Sequence, residues 1–295
     1  MSGARFGSCV DPQEWILPRR CNFGVQNRVI EMLIILCLLA LTSSCCGQSW
    51  RKVEGSLKHV SIGRAGVWGV NADDLIYYRE GTYQAPNATG TKWTLVPGHL
   101  KQLDVGRDIV VGVNSKNEIL YRKDISDENP TGSDWVQLDG CLKHVTVSPY
   151  GAIWGVNHYN FIYFRDGISP QNPAGTSWQM VDGKLTQISA GPSGVWGVNA
   201  NDDIFYREGT YGGHVTMGSG WTNVPGTLAY ITSGSEVVVG VNREKRILRR
   251  TEISEGSPTE NQWLQLDGKL SMIEEYNGTM CGVNGVNDIW VSPTN

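Results

Sequence analysis

The sequence predicts an all-β fold: a ring of six four-stranded blades, that is, a six-bladed β-propeller. Two motifs repeated six times at one period predict it, and the composition agrees. Trp-x-x-Val/Leu-x-Gly-x-Leu begins at Trp50, Trp93, Trp135, Trp178, Trp221 and Trp263, always 42 or 43 residues apart. Gly-Val-Asn ends at Asn71, Asn114, Asn157, Asn199, Asn242 and Asn284 with the same spacing. A unit of about 42 residues without a 3.6-residue apolar period reads as a propeller blade. The chain of 295 residues carries 36 Gly and 11 Trp but only 18 % charged residues. That balance excludes a disordered chain, which is poor in aromatics and rich in charge. It argues equally against a helical bundle, because Gly is costly inside helices.

One repeat shows the elements in order. Leu57–Ile62 alternates and reads as the first strand, and Gly66–Val70 as the second. Asn71–Asp74 is a turn, since Asn and Asp bond their own backbone and tolerate the left-handed region. Leu75–Arg79 is the third strand, and a variable loop leads to the fourth, Trp93–Val96. Pro97-Gly98 is expected to turn the chain into the next blade. The repeats open on a fourth-strand motif, Trp50–Val53, and close just after a third-strand motif, Asp288–Val291. Pairing the N-terminal strand with the last blade closes the ring and leaves no open seam. A deeper duplication is visible: repeats 128 residues apart resemble each other most, as in Gly66–Ala72 and Gly194–Ala200. A copied three-blade half predicts a pseudo-twofold about the ring axis.

The first 47 residues differ. Met32–Leu41 is an unbroken apolar run of 10, too short to span a bilayer. Small residues follow it and Arg19, Arg20 and Arg28 precede it, as in a secretory signal peptide. Residues 1–47 are therefore expected to be a leader, with Met32 an alternative start, and 48–295 the propeller. A buried apolar helix is the competing reading of 32–41. Five of the seven cysteines fall in 1–47, so the remainder is not a disulfide-built scaffold. Two sequons, Asn87-Ala-Thr and Asn277-Gly-Thr, would be glycan acceptors on a secreted surface. The net charge of −4 gives no reason to expect nucleic acid or an anionic membrane as partner.

The Trp-x-x-Val/Leu-x-Gly-x-Leu, Val-Trp-Gly-Val-Asn and Ile-Tyr-Tyr-Arg motifs at this period resemble the tectonin repeat. The span 48–295 resembles the fish-egg lectins and the related horseshoe-crab plasma lectins. The resemblance implies a secreted propeller that binds N-acetylglucosamine-type glycans and bacterial cell-wall sugars, associated with eggs, plasma and innate defence. Some fish-egg lectins carry more cysteines and internal disulfides than the two found here, so disulfide content does not transfer.

Sugars present apolar C–H faces that lie on aromatic rings, and hydroxyls that need fixed donors and acceptors. Trp68, Trp154 and Trp196 occupy a column that elsewhere holds Val111, Val239 and Cys281. Tyr78, Arg79, Glu80 and Tyr83, and their copies Tyr206, Arg207, Glu208 and Tyr211, surround the adjoining loops. These side chains form the candidate carbohydrate site, present twice; packing between blades is the alternative for each. The six fourth-strand Trp and the six Gly-Val-Asn asparagines read as framework. Asp73-Asp74 and Asn201–Asp203 lack calcium-loop spacing, so no metal site is expected and only a weak cation in the central channel is left open. No zinc spacing, nucleophile elbow or phosphate loop appears, so no enzyme and no cofactor are expected. His59, His99 and His144 fall near one first-strand column. Cys141 and Cys281 are expected on opposite sides of the ring, too far apart to pair. The function expected is that of a secreted lectin engaging repeated glycans multivalently. The alternatives are a protein-binding propeller of an egg envelope or extracellular matrix, and an enzyme of carbohydrate metabolism. The oligomeric state is not set by the sequence.

Overall fold

The computed structural model describes residues 49–85 and 89–293; the leader 1–47, with its apolar run 32–41, and Asn87 lie outside them. The N-terminal strand is β1 (Arg51–Val53). Blade 1 holds β2 (His59–Gly63), β3 (Gly66–Val70), β4 (Leu75–Arg79) and β5 (Trp93–His99). Blade 2 holds β6 (Gln102–Val105), β7 (Val110–Val113), β8 (Glu118–Arg122) and β9 (Trp135–Cys141). Blade 3 holds β10 (His144–Val147), β11 (Ile153–Val156), β12 (Phe161–Asp166) and β13 (Ser177–Lys184). Blade 4 holds β14 (Gln187–Gly191), β15 (Gly194–Val198), β16 (Asp203–Arg207) and β17 (Trp221–Thr227). Blade 5 holds β18 (Tyr230–Ser233), β19 (Val237–Val241), β20 (Arg246–Thr251) and β21 (Leu264–Lys269). Blade 6 joins β22 (Met272–Tyr276), β23 (Thr279–Val283) and β24 (Ile289–Pro293) to β1. That closure is the expected one, with Lys52 opposite Trp290.

The repeated motifs are the instructions for this ring. Each Gly-Val-Asn asparagine caps the turn after the second strand: Asn71 Oδ1 accepts from the amides of Asp73 and Leu75 at 3.0 and 2.9 Å. Asn114, Asn157, Asn199, Asn242 and Asn284 repeat both bonds. The glycine of the tripeptide leaves room for the motif leucine; a Cβ on Gly69 would lie 2.5 Å from Leu57 Cδ1. The leucines themselves are buried, Leu57 to 3 % exposure and Leu100 to 1 %.

Pro97-Gly98 does not turn the chain into blade 2, as the sequence suggested. It lies within β5 as a bulge: Leu75 pairs with His99, but Ile76 pairs with Val96. Blades 2 to 5 slip at the same point. The bulge carbonyl is an acceptor for the next blade. The Trp135 indole N–H donates to Pro97 O at 2.9 Å, Trp178 to Asp139 O at 2.8 Å and Trp221 to Asp182 O at 2.8 Å. Trp263 donates to Pro225 O, Trp50 to Asp267 O and Trp93 to Glu54 O, completing the circle at 2.7–2.9 Å. Each indole lies on the bulge glycine, where a Cβ would meet it: on Gly226, 2.9 Å from Trp263 Nε1.

Five of these Trp rings carry a guanidinium from their own blade, 5.2–5.4 Å from ring centroid to Arg79, Arg122, Arg165, Arg207 and Arg250. Arg79, Arg165 and Arg207 also bond the acidic residue of the preceding bulge, Glu54, Asp139 and Asp182. Ser292 takes the arginine's place beside Trp50, and its hydroxyl bonds Ser49 O.

Cys141 lies at the end of β9 and Cys281 within β23, and both are free. They belong to blades 2 and 6, two places apart rather than opposite. His99 ends β5 instead of sharing the first-strand column of His59 and His144.

Gly226→Ala tests the clamp. With φ at +125° and Trp263 against it, the substitution is expected to cost about 1–3 kcal/mol. Gly220→Ala, with nothing within 4 Å, is expected to stay within about 0.5 kcal/mol. Urea midpoints of the two variants check the contrast.

Candidate functional site

The structure places most of the expected sugar-binding residues in the core. Trp68, Trp154 and Trp196 are 0 % exposed, and Tyr78 and Tyr206 are 2 % exposed. Trp68 packs on Tyr78 with ring centroids 5.2 Å apart, Trp196 on Tyr206 at 5.1 Å and Trp154 on Phe164 at 5.0 Å. A ring closed on both faces by protein has no face for a sugar, so these five are framework. In blades 1, 3 and 4 the indole stands opposite a third-strand ring, Tyr78, Phe164 or Tyr206, whereas Val111, Val239 and Cys281 stand opposite Tyr121, Arg249 and Val291. Arg79 and Arg207 are likewise buried, as the Trp clamps described above. Tyr211 is half-buried, its hydroxyl donating to Ile253 O at 3.4 Å. Tyr83 is half-buried too, and its hydroxyl donates to Asp108 Oδ1 at 3.3 Å, beside an open groove. Asn277 is exposed at the β22–β23 turn, with φ at +48°.

The innermost strands alternate, so every second side chain faces the central channel. One layer holds Ser61, Asp104, Thr146, Ser189, Thr232 and Glu274. Asp104 accepts from the Ser61 and Thr146 hydroxyls at 2.8 and 2.7 Å and from the Val105 and Val147 amides. Burial still pushes its carboxyl above the ordinary range. Glu274 bonds the Thr232 and Tyr230 hydroxyls, at 2.7 and 2.5 Å. Burial, and then the nearby Asp104 charge, push the Glu274 carboxyl up to about 8, so it holds its proton at neutral pH. In the next layer His59 and His144 are pushed down to about 3 by burial and are neutral. Tyr230 OH lies 3.3 Å from His59 Nε2, and both His144 nitrogens are without a partner among the described residues. No group of three or more His, Cys, Asp or Glu able to hold a metal occurs among the described residues.

The open site is on the face that carries the first-to-second-strand turns and the third-to-fourth-strand loops. There a groove of about 540 Å³ runs between blades 2, 3 and 4. Arg107, Asp108 and Ile109 come from the β6–β7 turn, Pro149 and Tyr150 from the β10–β11 turn. Ile168, Pro170 and Pro173 come from the β12–β13 loop, and Val215 from the β16–β17 loop. Tyr150 is 57 % exposed, and His214 stacks on it at 4.8 Å with planes 23° apart. Two glycines build this contact. Gly212 and Gly213 take φ of +86° and +68°, and a Cβ on Gly213 would lie 2.9 Å from Gly191 O and 3.2 Å from Pro149 Cδ. The Ser148 hydroxyl donates to Gly213 O, tying the loop of blade 4 to the turn of blade 3. On the far wall Asp108 pairs with Arg64 and with Arg107, the latter at 3.4 Å. The groove thus offers an aromatic platform, an apolar wall and a guanidinium–carboxylate rim.

Tyr150, His214 and Asp108 are not repeated from blade to blade, and Arg107 repeats only Arg64. The signal was present as a departure: among the six first-to-second-strand turns, only that of blade 3 carries a ring at its tip, and only the loop of blade 4 carries Gly-Gly-His.

Glu274→Gln reports on the channel. An acid raised from 4.5 to about 8 on folding stabilises less as pH climbs through that interval, and the loss is complete above it. The variant is therefore expected to match the parent near pH 5 and to melt above it near pH 9. The two histidines, lowered from 6.5 to about 3, act in the other direction, and their contribution is lost as pH falls from about 6.5 to 3 in both proteins. Melting curves across pH check both signs.

Comparison with known proteins bears on the family and the fold. No curated protein sequence matches the chain. The WD40 repeats of RRP9 superpose with a TM-score of 0.53 at 8 % identity, covering 83 % of this chain and 97 % of that one. The β-propeller domain of Cps50 (Swd1) from Myceliophteria thermophila gives 0.51 at 7 % identity, covering 83 % and 86 %. YCF48 from Cyanidioschyzon merolae gives 0.50 at 11 % identity, covering 83 % and 98 %. At such identities the likeness is one of fold. No helix among the described residues is long and apolar enough to cross a membrane. The sequence pattern of the tectonin domain matches residues 40–85 and 81–285, nearly the whole ring, and the chain belongs to the tectonin domain family.

Proposed function

We propose that this chain is a secreted, non-catalytic carbohydrate-binding protein, and that the groove beside Tyr150 is its site. The observation that carries the reading is the exposed Tyr150 ring, held by His214 and the Gly213 latch beside the Arg107–Asp108 rim. An aromatic face receives the C–H face of a pyranose, and a guanidinium and a carboxylate at the rim serve its hydroxyls. The groove lies within the range of about 300–1,000 Å³ common for ligand sites. Membership of the tectonin family and the resemblance to fish-egg and horseshoe-crab plasma lectins support N-acetylglucosamine-type or microbial surface glycans as ligands, in egg or innate defence. The apolar run 32–41 supports secretion, which would open Asn277 and Asn87 to glycosylation. The rim charges are paired with each other rather than with a nucleophile, which suits binding without chemistry.

One feature favours a protein partner instead: the wall of Ile109, Ile168, Pro170, Pro173 and Val215 suits an extended peptide. A glycan array, with free N-acetylglucosamine as competitor, separates the two. Binding of N-acetylglucosamine-type glycans is expected, weakened about tenfold or more by Tyr150→Ala. Tyr159→Ala, 64 % exposed on the opposite face, is expected to bind as the parent does. An array without any retained glycan would remove the carbohydrate reading.

A further inference from the structure

We infer that the Tyr150 groove is a single extended site per chain, taking an oligosaccharide segment rather than one terminal sugar. The inference rests on the carbohydrate reading above and concerns the length and number of what binds. The groove, at about 540 Å³, has room for roughly two or three pyranose rings at interior packing density. Its lining comes from three successive blades, blade 4 adding Val215 alone, so it crosses two blade junctions instead of being confined to one repeat unit.

The pseudo-twofold shows why the described residues of the other half do not copy it. The blade 1 loop copies the blade 4 loop in length and in backbone bonds. Gln84 N donates to Arg64 O as Gly212 N does to Pro192 O, each at 2.8 Å. Ala85 N donates to Thr82 O at 3.1 Å as Gly213 N does to Thr210 O at 3.2 Å. There the copies part. Ala85 stands where Gly213 permits the close approach to Pro149, and Pro86 follows where blade 4 has His214. The turn that answers Tyr150 in blade 6 is Asn277-Gly278, which has no ring. The other turn tips, at Ala65, Asp108, Ser193 and Glu236, have none either. Of the repeated aromatics that would have made a ring of equal sites, Trp68, Trp154, Trp196, Tyr78 and Tyr206 are buried. Repetition therefore builds the support, and one departure from it builds the site.

Titration calorimetry with soluble β-1,4-linked N-acetylglucosamine oligomers of one to four units tests this. The expected result is a stoichiometry near one per chain, with affinity rising about tenfold or more from monomer to trimer and levelling off thereafter. Tyr150→Ala, checked for an unchanged melting temperature, is expected to abolish the rise. Several equivalent sites per chain, or equal affinity for monomer and trimer, would overturn the inference while leaving the carbohydrate reading intact. Absence of binding by every oligomer would overturn both.

Discussion

The ring depends on one contact made six times: an indole N–H reaching back to the bulged outer strand of the preceding blade. Three sequence positions serve it together. The bulge offers a carbonyl that its own sheet leaves unpaired, the glycine lets the indole lie flat on the backbone, and the tryptophan supplies both area and donor. The bulge carbonyls lie on exposed residues, where water can replace a lost indole donor, so the bond itself is worth only about 0.5–1.5 kcal/mol and the half-buried indole on the glycine supplies the rest of the coupling between bulge and tryptophan. This coupling explains why Trp and Gly recur in one motif although they never touch within it. The Trp of each blade packs against the Gly of the one before.

The same contact shows how the seam closes. At the junction of blades 5 and 6, Trp50 makes its bond to Asp267 O like any other indole, but its arginine is absent and β1 contributes only three residues. The last clamp has the shortest strand and no guanidinium over its ring. Arginine elsewhere does more than add charge. Arg79 is 4 % exposed and also donates to Thr89 O, so it ties the long loop to the clamp, while its acidic partner Glu54 is largely in water. The ion pair adds little by itself at such exposure. The stacking and the loop bond account for the arginine's recurrence in five blades.

Legibility in the sequence followed from repetition. Blade count, strand order and the asparagine turns are readable because each is stated six times in register, and closure because the repeats open on a fourth-strand motif and end on a third-strand one. Pro97-Gly98 was misread as a turn between blades, since a dipeptide with turn chemistry looks alike in a turn and in a glycine bulge; only the pairing of Leu75 with His99 distinguishes them. The candidate site was misread for a related reason. Trp68, Trp154 and Trp196 stand out as large aromatics in a variable column, but all six members of that column are fully buried, so variation there is not freedom at a surface. Tyr150 and His214 were invisible to the same reasoning because a residue that occurs once in six registers carries no pattern.

That contrast has a physical root. The clamp is reproduced in every blade, its six indole-to-carbonyl distances all falling at 2.7–2.9 Å. The turns and loops of the groove face lie outside the clamp, and there a new contact needs no change in the ring. Gly212-Gly213 illustrates the economy. Two residues without Cβ atoms let a loop of unchanged length bend onto the neighbouring blade, and the imidazole that follows is delivered onto Tyr150. The channel answers the opposite demand. Its polar layer is bonded across blades, from Ser61 to Asp104 to Thr146 and from Tyr230 to Glu274, so a change there is felt by the whole ring. Function placed on the loop face can vary freely, whereas the axis is committed to holding six blades at one spacing.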